Sequence, residues 1–162
     1  MNGYQAPPLT RVNKIVLITM VALFVVQSFG VKVAGFSLQG YLGLIPSEFL
    51  GVRFYTLFTY PWLESELMSL LFNGLGLYFL GSELERSWGE KVYIKFLGTS
   101  VVLAGLLFVV LDLLVLGSTK MGGGILVGSA GLTYALCVAY AVLFPERQFL
   151  MMFAFPVKAM WF

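Results

Sequence analysis

The chain contains no histidine and a single cysteine, Cys137, among 162 residues. The first absence removes the commonest metal ligand and the commonest general base from the chain as given. The second excludes an intramolecular disulfide and any cage built from thiolates. Charge is equally scarce. Only 11% of the residues are Asp, Glu, Lys or Arg, and the formal net charge is +2. No Lys/Arg cluster exists that could neutralise a run of phosphates, so the composition gives no support to nucleic-acid binding. Phosphate-loop patterns and ligand clusters are missing too, and no cofactor or metal is expected. What fills the chain instead is apolar: 59% hydrophobic residues and 16% aromatic. This is the composition of a membrane protein.

Four apolar runs approach the roughly 20 residues that a helix needs to cross a bilayer. They lie at about Ile15 to Gly30, Leu67 to Gly81, Val92 to Leu116 and Ile125 to Phe144. The first follows Arg11 and Lys14, as a signal peptide would, but it is long and no small-x-small cleavage site follows it, so it is read as a membrane anchor. Residues 1–14 are then a cytoplasmic N-terminus. With that orientation Arg11, Lys14, Arg86, Lys91, Lys95, Arg147 and Lys158 fall inside, against Lys32, Arg53 and Lys120 outside, as the excess of Lys and Arg in cytoplasmic loops requires. Residues 31–66 form a long connection rich in Phe, Tyr and Trp. Aromatic side chains with a polar tip prefer the headgroup zone, so this segment is expected to lie in the outer membrane interface. Gly74, Gly76 and Gly81 on the second helix, and Gly124, Gly128, Gly131, Ala135 and Ala139 on the fourth, are read as close helix contacts, with Gly124 and Gly128 forming a GxxxG pair. The run "MGGGI", Met121 to Ile125, reads as a flexible entry to the fourth helix.

Polar groups at membrane depth are the candidates for function, because burial without a partner costs energy. Asn73 lies within "SLLFNGLGLYFLG" and can be a packing amide or a functional one. Asp112 sits close enough to a helix end to reach the interface, as a solvated or paired carboxylate. Cys137 is surrounded by apolar residues and is read as packing. Ser129, in "ILVGSAGLTYAL", stands at the mouth of the fourth helix.

The segments "RFYTLFTYPWLESELMSLLFNGLGLYFLGSELERSWG" (Arg53 to Gly89) and "VGSAGLTYALCVAYAVLFPERQFLMMFAFPVKAMWF" (Val127 to Phe162) resemble the rhomboid family of intramembrane serine proteases. In that family a membrane-embedded loop follows the first helix, a His-x-x-x-Asn pair lies on the second, and a Gly-x-Ser-Gly motif opens the fourth. A histidine on the sixth helix activates the serine. The resemblance implies an all-α polytopic membrane protein, here a single rhomboid-like domain over 1–162 with about four transmembrane helices and the start of a fifth. The sequence stops near where the family's fifth helix begins, and a longer native chain is expected.

The departures bear directly on activity. In Gly128-Ser129-Ala130-Gly131 the family's nucleophile position holds Ala130, and Ser129 fills the position before it. Adjacent residues on a helix point about 100° apart, so Ser129 cannot present its hydroxyl where Ala130 points. Ser69 replaces the histidine four residues before Asn73, which leaves Asn73 alone at an oxyanion-type position. Glu64 occupies the place where another histidine is often found. Arg53 resembles the basic half of a Trp-Arg pair whose Trp is replaced by Val52, and Glu85 and Gly89 match the pattern at the end of the second helix. Acyl transfer needs a nucleophile, a base and oxyanion donors, and of these only Asn73 is at hand. The resemblance therefore implies a proteolytically inactive relative, embedded in the lipid bilayer, that binds transmembrane segments of client proteins. The alternative is a rhomboid-type serine endopeptidase in truncated or inactivated form.

Overall fold

A computed structural model describes residues 8–34, 37–49, 51–116, 124–145, 148–151 and 155–158. Helix α1, Arg11–Ala34, leads into a connection that is itself folded: α2 (Leu38–Leu42), α3 (Pro46–Phe49), α4 (Thr56–Thr59) and a 3-10 turn at Tyr60–Trp62. Next, α5 (Leu67–Gly76) passes through a π-helical turn, Leu77–Gly81, into α6 (Ser82–Trp88) without a break. Gly89 alone separates α6 from α7, Glu90–Leu111, which continues as a π-helical turn over Asp112–Leu116. Gly89 adopts φ 81°, a conformation open to glycine and strained for most other residues. Helix α8 follows at Ala130–Leu143.

Three stretches are long and apolar enough to cross a membrane: Arg11–Gly30, Leu67–Trp88 and Glu90–Leu114. Helix α8 is shorter, at 14 residues, about 21 Å of rise against a hydrocarbon core of about 30 Å. The pattern of exposure is that of a protein dissolved in lipid. Ile15, Ile18, Val25, Val26 and Phe29 of α1 face outward, as do Leu67, Met68, Leu71 and Phe72 of α5 and Tyr134, Val138 and Val142 of α8. Asn13, Gln27, Glu64, Asn73, Ser82, Glu85, Asp112 and Ser129 are buried. In water this arrangement would expose a large apolar surface to no advantage, whereas in hydrocarbon the polar groups must find partners inside.

The main core joins every long helix through Met20, Leu77, Leu84, Tyr93 and Leu136, and a second cluster of Leu44, Leu57, Tyr60 and Val109 packs the connection onto α7. Small residues set the close approaches. A Cβ at Gly76 would lie 2.7 Å from Thr133 Cγ2, and one at Gly105 would lie 2.5 Å from Leu57 Cδ1. At Gly81 it would meet the Tyr93 hydroxyl, with Asn13 Oδ1 2.7 Å away. Gly74 faces Leu17, and Gly131 faces Ala104.

Several sequence expectations require correction. The fourth helix begins at Ala130 rather than Ile125, because the preceding residues are extended: Leu126 pairs with Leu44 in a two-way backbone bridge, and Gly128 takes φ 105°. Gly124 and Gly128 thus precede the helix and form no GxxxG face on it. No fifth helix starts in the described residues that follow. Gln148–Met151 and Phe155–Lys158 instead form an antiparallel hairpin with Leu150 opposite Pro156. Pro156 would break a helix interior, but it is tolerated where both strands are edges, and the Phe-rich sequence favours strand. Asp112 is 8% exposed, with Oδ1 buried and without a hydrogen-bond partner among the described residues, so it is not a solvated carboxylate. Met121, Lys120, Arg147, Trp161 and Phe162 lie outside the described residues.

Gly81→Leu is expected to destabilise the fold by about 1–3 kcal/mol, because the added side chain must displace Asn13 and Tyr93. A lowered melting temperature in detergent, larger than that of Gly98→Leu on the open side of α7, checks this.

Candidate functional site

The polar interior is organised around two carboxylates, one at each end of the bundle. Glu64 ends the loop that leads into α5 and is 1% exposed. Its Oε1 accepts three hydrogen bonds: from Asn73 Nδ2 at 3.0 Å, from the Ser129 backbone N–H at 3.0 Å and from the Ser129 hydroxyl at 2.6 Å. Its backbone carbonyl accepts from Gln27 Nε2 on α1 at 3.0 Å. Thr133 extends the network, donating to Asn73 Oδ1 at 3.1 Å. Four parts of the chain thus meet at one residue. Among the described residues the only ion pair is Arg53 with Glu48, so Glu64 is held by hydrogen-bond donors rather than by a cation.

Local sequence explains why Ser129 can reach it. Gly128 donates its N–H to the Tyr60 carbonyl at 3.1 Å, and a Cβ there would stand 3.3 Å from Glu64 Oε2. Only glycine takes φ 105° cheaply while leaving that room. Ser129 then occupies the position before the first residue of α8, where the helix has an unpartnered N–H. The carboxylate supplies the acceptor that the helix lacks, and a negative group suits the positive end of the helix dipole. Tyr60 is fixed in turn by donating to the Val101 carbonyl at 2.8 Å. Burial pushes its hydroxyl up to about 12, which keeps it a donor over the ordinary pH range.

Glu85 does the same for α1. It accepts from the Val12 N–H at 3.1 Å, the Asn13 N–H at 3.2 Å, Asn13 Nδ2 at 3.1 Å and the Thr10 hydroxyl at 2.5 Å. Tyr93 donates to Asn13 Oδ1 at 2.7 Å, and Arg86 reaches the Pro8 carbonyl.

The residues singled out from the sequence separate into those that meet and those that do not. Asn73 and Ser129 converge on Glu64. Ala130, singled out from the sequence as a possible nucleophile position, is exposed and makes none of the hydrogen bonds to Glu64. Ser69 is half-buried and takes no part in it. Arg53 serves the connection, donating to the Gly40 carbonyl at 2.9 Å, pairing with Glu48 at 2.7 Å and lying 5.8 Å from the Tyr41 ring centroid. Val52 is 85% exposed. Gly89 and Gly131 are a helix boundary and a packing contact respectively. Sequence reasoning missed Gln27 and Thr133. Gln27 carried a readable signal, a lone amide within an apolar run, like that of Asn73.

Chemically, Glu64 Oε1 has little spare capacity. A base for Ser129 must accept its proton, yet the oxygen facing that hydroxyl already accepts two N–H donors. Among the described residues no group of three or more His, Cys, Asp or Glu could hold a metal.

Apolar helices that face outward around a hydrogen-bonded polar interior define an integral membrane protein of helical class. The chain belongs to the family described as "Eukaryotic integral membrane protein (DUF1751)", whose model matches residues 14–162. No match was found among curated proteins.

Glu64→Ala leaves two buried amide donors and a hydroxyl without an acceptor, and is expected to cost about 2–4 kcal/mol. Ser129→Ala removes only one donor and is expected to cost about 1 kcal/mol. Thermal unfolding in detergent should place the two variants in that order.

Proposed function

We propose that this chain is a rhomboid-like membrane protein without proteolytic activity, and that it binds transmembrane segments of other proteins, with its N-terminus in the cytoplasm. The observation that carries the inactive reading is the state of Ser129. Its hydroxyl is donated to Glu64 at 2.6 Å, while the position resembling the family nucleophile is Ala130, which has no oxygen. The chain contains no histidine to act as base. A serine whose hydroxyl and backbone N–H are both donated to a carboxylate that Asn73 also occupies is a structural anchor, not an activated nucleophile.

The binding half of the proposal rests on the outward face of α8. Ala130, Tyr134, Val138 and Val142 follow one another at four-residue spacing, and the last three are 74%, 58% and 76% exposed. That spacing lays them along one stripe of the helix, starting at a small residue that lets another backbone come close. Tyr134 adds a hydroxyl that a partner helix can bond.

A photo-crosslinking amino acid at Val138, in native membranes, should capture peptides from transmembrane segments of other proteins, and the same probe at Ile18 of α1 should capture them far less. Cleavage of a transmembrane substrate by the purified protein, abolished by Ser129→Ala, would sink the inactive reading and favour the protease alternative. Ala130→Ser should not create cleavage, because among the described residues no histidine stands beside the new hydroxyl.

A further inference from the structure

The basic residues are scattered along the sequence, but the fold gathers half of them at one end of the bundle. Asn13 of α1 bonds Glu85 of α6 and receives the Tyr93 hydroxyl of α7, and Arg86 reaches the Pro8 carbonyl. The starts of α1 and α7 and the end of α6 therefore lie together. Arg11, Lys14, Arg86, Lys91 and Lys95 all stand exposed there. Little opposes them. Glu85 is buried and accepts four hydrogen bonds, Glu83 is half-buried and accepts from the Tyr140 hydroxyl at 3.0 Å, and only Glu90 is exposed among the acids of these helices near this end. Among the described residues none of the five cations is in an ion pair.

Lys91 and Lys95 are the most constrained of the five. They stand four residues apart on one face of α7, where like charges repel. Glu90 points about 100° away from Lys91 around the helix. The apolar span Glu90–Leu114 has already begun at Lys91, and Lys95 lies about 7.5 Å of helical rise inside it. Val92 and Ile94 beside it are each 53% exposed, so the surroundings at that depth are apolar. A lysine there lays its stem along the apolar surface and carries its ammonium to the headgroup level. Side chains on a helix lean toward its N-terminus, which takes the Lys95 amine toward Lys91. Two ammonium groups thus meet at one level, and they need an anion.

The place of this pair selects the anion. A phosphate ion or an acidic peptide approaching from water would leave Val92 and Ile94 uncovered, whereas a phospholipid sets its phosphate at the ammonium level and its acyl chains over those side chains. The other cations select among phospholipids. Arg11, Lys14 and Arg86 make the whole end positive, which opposes the choline of a zwitterionic headgroup and favours one of net negative charge. We infer that Lys91 and Lys95 form a binding site for the headgroup of an anionic phospholipid. In the orientation proposed above this end faces the cytoplasm, but the site depends neither on that reading nor on the binding role of α8.

The test titrates the full chain, in detergent micelles, with equal amounts of phosphatidylserine and phosphatidylcholine and counts bound lipids by native mass spectrometry. Phosphatidylserine should be retained severalfold over phosphatidylcholine. Lys91→Gln combined with Lys95→Gln should abolish that preference, while Arg11→Gln combined with Lys14→Gln should weaken it without abolishing it. Lys91→Arg with Lys95→Arg should keep it, and melting temperatures in detergent confirm that the variants are folded. Equal retention of the two lipids, or a preference that survives the loss of both α7 lysines, would overturn the site. A preference that falls equally in the two glutamine variants would reduce it to diffuse surface charge and overturn it as well. Displacement of phosphatidylserine by an equal concentration of inorganic phosphate would overturn the assignment to a lipid.

Discussion

The structure turns on the carboxylate of Glu64. In an interior of low dielectric each polar group is costly unless paired, and this one residue pairs groups from four parts of the chain. Asn73 fixes α5, Ser129 fixes the start of α8, and Gln27 ties α1 to the Glu64 carbonyl. The interface connection delivers the glutamate itself. Several consequences follow from that placement. Gly128 favours glycine because its φ of 105° strains any other residue, and a Cβ would also stand 3.3 Å from Glu64 Oε2; α8 starts after it. The Glu64 carboxylate then caps the helix start from a distance of 65 positions in sequence.

Glu85 repeats the solution at the opposite end. Helix starts leave N–H groups unpartnered, and in a membrane no water is at hand to satisfy those that lie deep. A local Ser or Asp cap would serve in a soluble protein. Here each of two helix starts is met by a glutamate borrowed from another part of the chain: α8 by Glu64 and α1 by Glu85. Because each glutamate is tied both to its own segment and to the helix it caps, the caps also determine how the segments are placed. Between them the apolar core of Met20, Leu77, Leu84, Tyr93 and Leu136 needs only to fill space. Tyr93 links the two levels, since its ring belongs to that core and its hydroxyl bonds Asn13 beside Glu85.

What could be read in advance was whatever depends on composition and spacing. The three long apolar runs became helices, since nothing in them interrupts the hydrogen-bond ladder. Ser129 and Ala130 do differ in setting, one buried and the other exposed, but not through the divergence of about 100° between helix neighbours, because Ser129 precedes the helix. The start of the fourth helix was not legible. Residues 124–129 are as apolar as those after them, and only the bridge to Leu44 holds them extended. Such pairing is invisible in a linear pattern. Pro156 did carry a local signal against a fifth helix, which the apolar character of its neighbours masked. Glu64 could be noticed as an unusual carboxylate, but its partners lie 9 and 65 residues away, and no periodicity connects them.

A carboxylate and an imidazole differ in what they can do at a buried polar site. A neutral imidazole has one donor and one acceptor nitrogen, and can take a proton from one side while being oriented from the other. A carboxylate oxygen accepts, and its orientation comes from the donors that occupy it. At Glu64 those donors include the serine that a catalytic arrangement would need to free. The more firmly the interactions with Asn73 and the Ser129 N–H fix Oε1, the less able that oxygen is to abstract the hydroxyl proton. On the reading proposed above, the same hydrogen bonds that stabilise the bundle withdraw Ser129 from chemistry. What remains available for recognition is then the outward surface of the helices, where the chain meets lipid and other membrane-spanning segments.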